Sequence, residues 1–555
     1  MEADYVLDYD LLSVERPHHL YVLARIKGHP APQSEARSPL NLSVVLDRSG
    51  SMAGDKLARV KEAAQFLVRH LGASDRFSLV TYDDHVEVNV PPGPVIFKDS
   101  INQAIQAIRV GGSTNLSGGW LKGCQMVSEA VKYPQLTEDV EDDITAGNKS
   151  LVQRGKVNRV LLLTDGLANQ GICDARRLGS MAHQKRDEGV PTTTMGVGMD
   201  FNEDLLTTMA TEGGGNFYFI DNPDKIPGIF AKELQHLLDV VGQNLTISLQ
   251  TSPDAQFIRQ LNAYPMSRGG SDVTFRLGDL SGDEIKTLLL ELSVPRLQGL
   301  GRVEIARLRF DYDEINDDQV THRTLELPVE INVVAEEDYQ EPPRDSDVVK
   351  SVLILEAAHA RKQALEHADR GDYQQATTIL KDAADAIESA DLDDADLKTE
   401  HNLLREEVTD MEFGARRYDS HSRKLHTSQI FDSTHTRPLS QTMILTEDLK
   451  LSRSAIERGG KTPAVLKWDK QSLELTMDKL RIGRNIDNDI VLAENSVSGA
   501  HCEIVRDGED LILEDLQSTN GTFANRGRLR GKFRLSVGDV VTVGSTLFRF
   551  EDTAS

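Results

Sequence analysis

Cysteine, tryptophan and aromatic residues in general are scarce in this chain of 555 residues, and so is positive charge. It has three cysteines and two tryptophans, and aromatic residues make up 5% of it. Cys124, Cys173 and Cys502 lie too far apart to form a paired disulfide framework, which points to a reducing compartment. No run approaches the roughly 20 apolar residues needed to cross a bilayer. The first residues, M-E-A-D-Y-V-L-D-Y-D, are acidic and lack the basic-then-apolar order of a signal peptide, so a cytoplasmic location is expected. A net charge of −26 argues against general binding to nucleic acid or to anionic membranes, and favours cations or basic partners. Hydrophobic and charged contents of 39% and 27% are ordinary for globular protein. The length exceeds a single core and predicts about three or four domains.

What is present is organised around Val44 to Met52, V-V-L-D-R-S-G-S-M. An apolar run reads as a buried strand that stops at Asp47; Ser49 and Ser51 follow at alternate positions, with Gly50 allowing the turn. One carboxylate and two hydroxyls at the carboxyl end of a strand stand where open α/β sheets bind ligands, and hard oxygen donors suit Mg²⁺ or another small divalent cation. Alone, the pattern reads equally as a helix-capping turn. Gly111-Gly112-Ser113-Thr114-Asn115 adds a loop hydroxyl, Thr114, before another helix. V-L-L-L-T-D-G, Val160 to Gly166, is a second buried strand ending in a carboxylate, Asp165. This ordered set resembles the von Willebrand factor A (VWA) domain and its metal-ion-dependent adhesion site. The resemblance implies a Rossmann-like doubly wound domain that holds Mg²⁺ by Asp47, Ser49, Ser51, Thr114 and Asp165, with one position left for a partner's Asp or Glu.

Around that stretch, residues 1–40 are β-rich, and strands and helices alternate from 41 to 241. Alternating strands without helices return over 242–335, an antiparallel β-sandwich. The N-terminal strands are expected to pair with that sandwich, making the A domain an insertion in it. Within the A domain, residues 133–156 form a polar insertion containing E-D-V-E-D-D, expected to be a solvated acidic loop. Residues 345–417 read as a helical hairpin region and 418–463 as a flexible, Ser/Thr/His-rich linker. The stretch Ala455 to Thr462, A-I-E-R-G-G-K-T, nearly spells a phosphate loop. It lacks the first glycine and a preceding strand, and is rejected as a nucleotide site.

From 464 to 555 short strands recur in a compact β-sandwich. Its loops carry Ile482-Gly483-Arg484, Asn488-Asp489-Ile490-Val491, Ser498 followed by His501, and Ser518-Thr519-Asn520-Gly521-Thr522. This set resembles the forkhead-associated (FHA) domain, a phosphothreonine-binding module. The resemblance implies phosphopeptide binding through Arg484, Ser498, Thr519 and Asn520, with His501 as a structural buttress. The family often has Arg directly after the Ser; here Gly499 stands in that place. Arg526, Arg528, Arg530, Lys532 and Arg534 form a local basic cluster able to attract phosphate.

The combined expectation is a non-catalytic scaffold. It would bind a phosphothreonine-containing protein downstream of a Ser/Thr kinase, and an acidic protein ligand at the metal. An alternative is a regulatory or adaptor subunit of an AAA-type ATPase machine. Thr442 in S-Q-T-M-I-L, or the nearby Thr434 or Thr436, is a candidate phosphosite that could dock on the FHA domain of the same chain. No catalytic triad context or zinc motif supports an enzyme.

Overall fold

The computed structural model divides into two compact units, Met1–Thr442 and Met443–Ser555. It describes all residues except 32–36, 133–155, 271, 317–318, 415–416 and 436–463 and, in the second unit, 469–470, 475–478, 486–487, 493–496, 508–509, 517, 519, 525–526, 530–531, 536–538, 545 and 553–555. The acidic insertion apart from Lys156, the near-phosphate loop, Thr436, Thr442, Thr519, Arg526 and Arg530 therefore lie outside the described residues.

The first unit begins with β1 (Glu2–Leu7), β2 (Leu11–Ser13) and β3 (His18–Lys27). The A domain follows: β4 (Leu40–Asp47), α1 (Asp55–His70), β5 (Arg76–Tyr82), β6 (Val86–Pro94), α2 (Lys98–Ala107), α3 (Leu116–Lys132), β7 (Val157–Thr164), α4 (Ala175–Asp187), β8 (Thr192–Val197), α5 (Glu203–Gly213), β9 (Gly214–Ile220) and α6 (Ile226–Leu238). Its sheet runs in the order β6-β5-β4-β7-β8-β9, parallel except for β6. Every residue of β4, β7 and β8 is buried, as expected for strands covered on both faces. From β4 the chain moves to one side of the sheet, and from β7 to the other. The crevice between their carboxyl ends is thus the topological switch point, where open α/β sheets place ligands. The antiparallel β6 was absent from the sequence reading; its P-P-G-P ending masks it, and proline is tolerated there because the strand lies at the sheet edge.

The chain then enters β10 (Val240–Thr251), β11 (Gln256–Gln260), β12 (Met266–Gly269), β13 (Asp272–Ser281), β14 (Ile285–Val294), β15 (Gly301–Asn316) and β16 (Gln319–Val334). Two sheets face one another, β1-β3-β14-β11 and β12-β13-β10-β15-β16-β2. The N-terminal strands are integral to both: β3 lies between β1 and β14, and β2 joins the far edge of β16. The doubly wound domain is thus inserted in a β-sandwich. One apolar core between the sheets includes Leu20, Val22, Ile247, Phe275, Leu290 and Phe310.

Four helices complete the unit: α7 (Ser346–Ala368), α8 (Tyr373–Ser389), α9 (Ala395–Glu412) and α10 (Ser420–Thr434). Each starts on an aspartate, Asp345, Asp372, Asp394 or Asp419. Its carboxylate accepts backbone N–H bonds in the first turn. The last helix corrects the sequence reading, which assigned 418–463 to a flexible linker: residues 420–434 are helical and docked on the A domain. Lys424 donates to the Phe201 carbonyl at 2.6 Å and pairs with Glu203. Arg423 reaches Asp204 at 2.9 Å, and Phe431 meets Phe217 edge-on at 5.9 Å. Thr434 is buried, and its hydroxyl donates to the Ile430 carbonyl at 2.7 Å; a kinase cannot reach it while the helix is docked, which removes it as a candidate phosphosite.

The second unit is a β-sandwich of two sheets, one of six strands and one of five. Leu466, Ile482, Ile504, Leu513, Val543 and Phe548 form its core.

Candidate functional site

The five residues expected at the metal loop are brought together at the switch point. Asp47 ends β4 fully buried; its Oδ1 accepts the Ser49 N–H at 2.8 Å and its Oδ2 the Thr164 hydroxyl at 2.7 Å. The Ser49 and Ser51 hydroxyls are 3.1 Å apart, and Ser51 donates to Asp165 Oδ1 at 2.6 Å. Thr114 supplies the fifth group: its Oγ1 and the Ser51 Oγ both border Gly166, 3.5 and 3.7 Å from where a Cβ on that residue would stand. Two carboxylates and three hydroxyls with no nitrogen or sulfur among them fit a hard divalent cation.

The electrostatics point the same way. Burial pushes the Asp47 carboxyl above its ordinary range, against the opposing hydrogen bonds from Ser49 and Thr164, and the nearby Asp165 raises it further. A divalent cation among these oxygens would favour the ionised form. Lys56, in the first turn of α1, already contacts this group: its ammonium lies 2.5 Å from Asp165 Oδ2, which is itself shielded from solvent.

Three residues missed by the sequence reading position the loops. Asn169 accepts from both the Ser113 hydroxyl at 2.8 Å and the Thr114 N–H at 3.0 Å. Asp83 accepts the Gly112 N–H at 3.3 Å while paired with Arg48 at 3.2 Å. Lys56 is the third. Each is a single polar residue in a loop or first helical turn, and its partner lies on a different loop, so local pattern carries no signal for it.

In the second unit, the Arg484 N–H donates to the Ser498 carbonyl at 2.9 Å, joining the loops that carry those two residues. The Arg484 side chain is exposed. His501 is wholly buried; its Nδ1 accepts the Ser498 N–H at 3.0 Å and its Nε2 donates to the Gly521 carbonyl at 3.3 Å. One imidazole therefore ties the Ser498 loop to the Asn520-Gly521 turn. Asp515, which the sequence reading did not single out, organises that turn. It accepts from the Ser518 and Thr522 hydroxyls, each at 2.6 Å. Asn520 is exposed beside this turn. Gly499 borders Asn485: a Cβ there would stand 3.0 Å from that exposed side-chain amide, which would have to shift.

Comparison with known proteins agrees with this geometry. The chain carries a von Willebrand factor type A domain over residues 41–232 and an FHA domain over residues 480–544. An uncharacterized protein of Synechocystis sp. is 29% identical over 392 residues, which span 69% of this chain and 85% of that protein. The uncharacterized protein YfbK of Escherichia coli is 29% identical over 272 residues, spanning 47% of this chain but only 43% of YfbK. Among solved structures, a von Willebrand factor type A protein from Catenulispora acidiphila shares the fold over 77% of this chain and 96% of its own, with a TM-score of 0.57 at 15% identity. VWA domains commonly bind a metal at the adhesion site, and FHA domains bind phosphothreonine-containing partners. Among the described residues no helix is long and apolar enough to cross a membrane.

Proposed function

We propose that this chain, with its VWA and FHA domains, is a non-catalytic cytoplasmic scaffold with two separate recognition chemistries. The A domain holds Mg²⁺ by Asp47, Ser49, Ser51, Thr114 and Asp165. The bound cation supplies an electrophilic position for a carboxylate of a protein partner. The observation that carries this reading is the convergence of these five oxygen-bearing side chains, from three separate loops, at the switch point of the sheet.

The FHA domain recognises phosphothreonine generated by a Ser/Thr kinase. Arg484 offers a planar, permanently charged donor set for the phosphate, with Ser498, Thr519 and Asn520 as further donors. What supports this is the solvent-facing Arg484 next to loops that His501 and Asp515 hold rigid. Because Gly499 removes one customary contact, the affinity is expected to depend heavily on Arg484.

Two calorimetric titrations of the full chain test the two halves. Titrating Mg²⁺ into metal-stripped protein should give saturable binding that Asp165→Ala removes. Titrating a degenerate phosphothreonine peptide pool should give binding absent for the unphosphorylated pool and absent in Arg484→Ala. If the phosphorylated pool does not bind, the FHA half of the proposal fails and the metal site alone carries recognition.

A further inference from the structure

At the opposite end of the A-domain sheet from the metal loop, the amino ends of β7, β8 and β9 face strands of the sandwich. Between them lies a cavity of about 390 Å³. Its walls include Lys156, Arg186 and Arg276 as well as Asp187, Asp279 and Asp313. Three cations face three carboxylates, but among these six only Arg276 and Asp187 pair with one another.

The carboxylates are all engaged. Arg276 takes Asp187 at 2.6 Å, and Arg159, from β7, takes Asp279 at 2.6 Å. Asp313 accepts from the Asn244 amide at 2.8 Å and lies 3.0 Å from the His322 ring. Arg186 is left over: both of its terminal nitrogens are closed off from open solvent and have no hydrogen-bond partner among the described residues. Its stem is pinned where α5 ends, since a Cβ on Gly214 would come within 2.4 Å of Arg186 Cδ. The Lys156 ammonium likewise has no carboxylate within ion-pair distance among the described residues. Burial and the neighbouring Arg76 both disfavour its charge. Burial, together with Arg276, disfavours the Arg186 cation too, against the more distant attraction of Asp187 and Glu212. An arginine cannot escape this by losing its proton; it needs an anion.

We propose that this cavity is a binding site for a small polyanion carrying phosphate or carboxylate groups, which pairs with Arg186 and Lys156. In a chain with a net charge of −26, a pocket in which Arg186 and Lys156 have no ion-pair partner among the described residues favours such an anion, because much of the remaining surface repels it. The volume admits an anion of several phosphate or carboxylate groups and excludes a folded protein segment. Its lining shares no residue with the metal loop or the phosphopeptide loops, and it does not depend on the function proposed for either.

The test is titration calorimetry of the metal-stripped full chain carrying Arg484→Ala, so that the FHA domain cannot contribute. Inorganic phosphate, pyrophosphate and citrate are each titrated, with sodium chloride at matched ionic strength as control. Saturable binding of at least one is expected, weakened about tenfold or more by Arg186→Gln and by Lys156→Gln. Whether phosphate compounds or citrate bind tighter identifies the anion class. A thermal melt provides the second readout. In anion-free buffer Arg186→Gln should melt no lower than its parent, because it removes an unpaired charge, and it should lose the parent's upward shift on adding the anion. Absence of saturable binding by all three anions overturns the proposal, and so does binding that both substitutions leave unchanged. Should Arg186→Gln not fold, Arg186→Lys and Lys156→Gln decide the matter by the same criteria.

Discussion

Arg361 in α7 and Arg186 in α4 are both enclosed guanidinium groups, and they are treated in opposite ways. Arg361 sits between two buried carboxylates: its Nε reaches Glu407 at 2.8 Å and its Nη2 reaches Glu400 at 2.8 Å, and these partners hold it firmly protonated against burial. Lys424 of α10 is matched in the same way by Glu203. In the helical region, then, buried charge is consumed inside the chain. In the A domain pairing is incomplete at both ends of one sheet: at the carboxyl end Lys56 alone meets the two carboxylates, and at the amino end Arg186 and Lys156 have no ion-pair partner among the described residues. Charges paired within the fold set which helices pack together. Those left over show where something outside the chain is expected to bind.

Breaking a paired site should cost the most. Arg361→Met strands Glu400 and Glu407 in the interior, and a loss of about 3–5 kcal/mol of unfolding free energy is expected by urea denaturation. An effect under about 1 kcal/mol would mean that these carboxylates already share a proton and that the contrast is false.

The metal end should respond differently. Asp47→Ala is expected to lower Mg²⁺ affinity by about 100-fold or more while costing the metal-free protein little, since it removes an unfavourably buried carboxylate. Equal Mg²⁺ affinity in the variant would place the cation elsewhere.

Lys56 refines that comparison, being the chain's own cation on Asp165. Lys56→Met should raise Mg²⁺ affinity by about three- to tenfold, because the metal no longer shares the carboxylate with an ammonium, while the metal-free protein melts earlier. Weaker metal binding in this variant would instead make Lys56 a support that orients Asp165.

The smallest effect is one of pH. His426, buried on the inner face of α10, is pushed below the ordinary histidine range by burial, against the attraction of Glu407 and Asp410 and with Arg361 adding to the depression. The unfolded chain therefore takes up a proton below a pH of about 6.5 while the folded one resists it. Stability is complete above that value and declines as pH falls towards the folded pKa. A melting series from pH 7.5 to 5.5 should show this decline, and His426→Gln should reduce it; an unchanged slope would assign the decline to other groups.

How far the sequence could be read follows from the same distinction. The convergence of five oxygen-bearing groups at the switch point was readable because they sit in three short motifs, each at the end of a strand or the start of a helix. The long strands of the A domain and sandwich were readable because their apolar periods are regular; the short, largely exposed β11 and β12 were missed for want of one. α10 was not. It turns Lys424, His426, Gln429 and Asp432 inward, so apolar periodicity points nowhere, and its fit depends on Glu203 more than 200 positions earlier. β6 was hidden by prolines that only an edge position permits. Lys56, Asn169 and Asp83 were missed because each acts on a residue brought close by the fold.

The pairing of β3 with β14 sets an order of assembly during synthesis. Val22 is the register partner of Leu290, so the second strand of that sheet has no neighbour on its inner side until some 270 further residues have left the ribosome. The A domain, complete by α6, can close on itself first. Once folded, it replaces a long flexible loop with a rigid clasp that returns the chain beside its starting point, which lowers the entropy cost of bringing β3 and β14 together. On this view the nested domain is also the sandwich's folding aid, and β2, whose Leu11 waits for Asn332 of β16, is the strand exposed longest to pairing with the wrong partner.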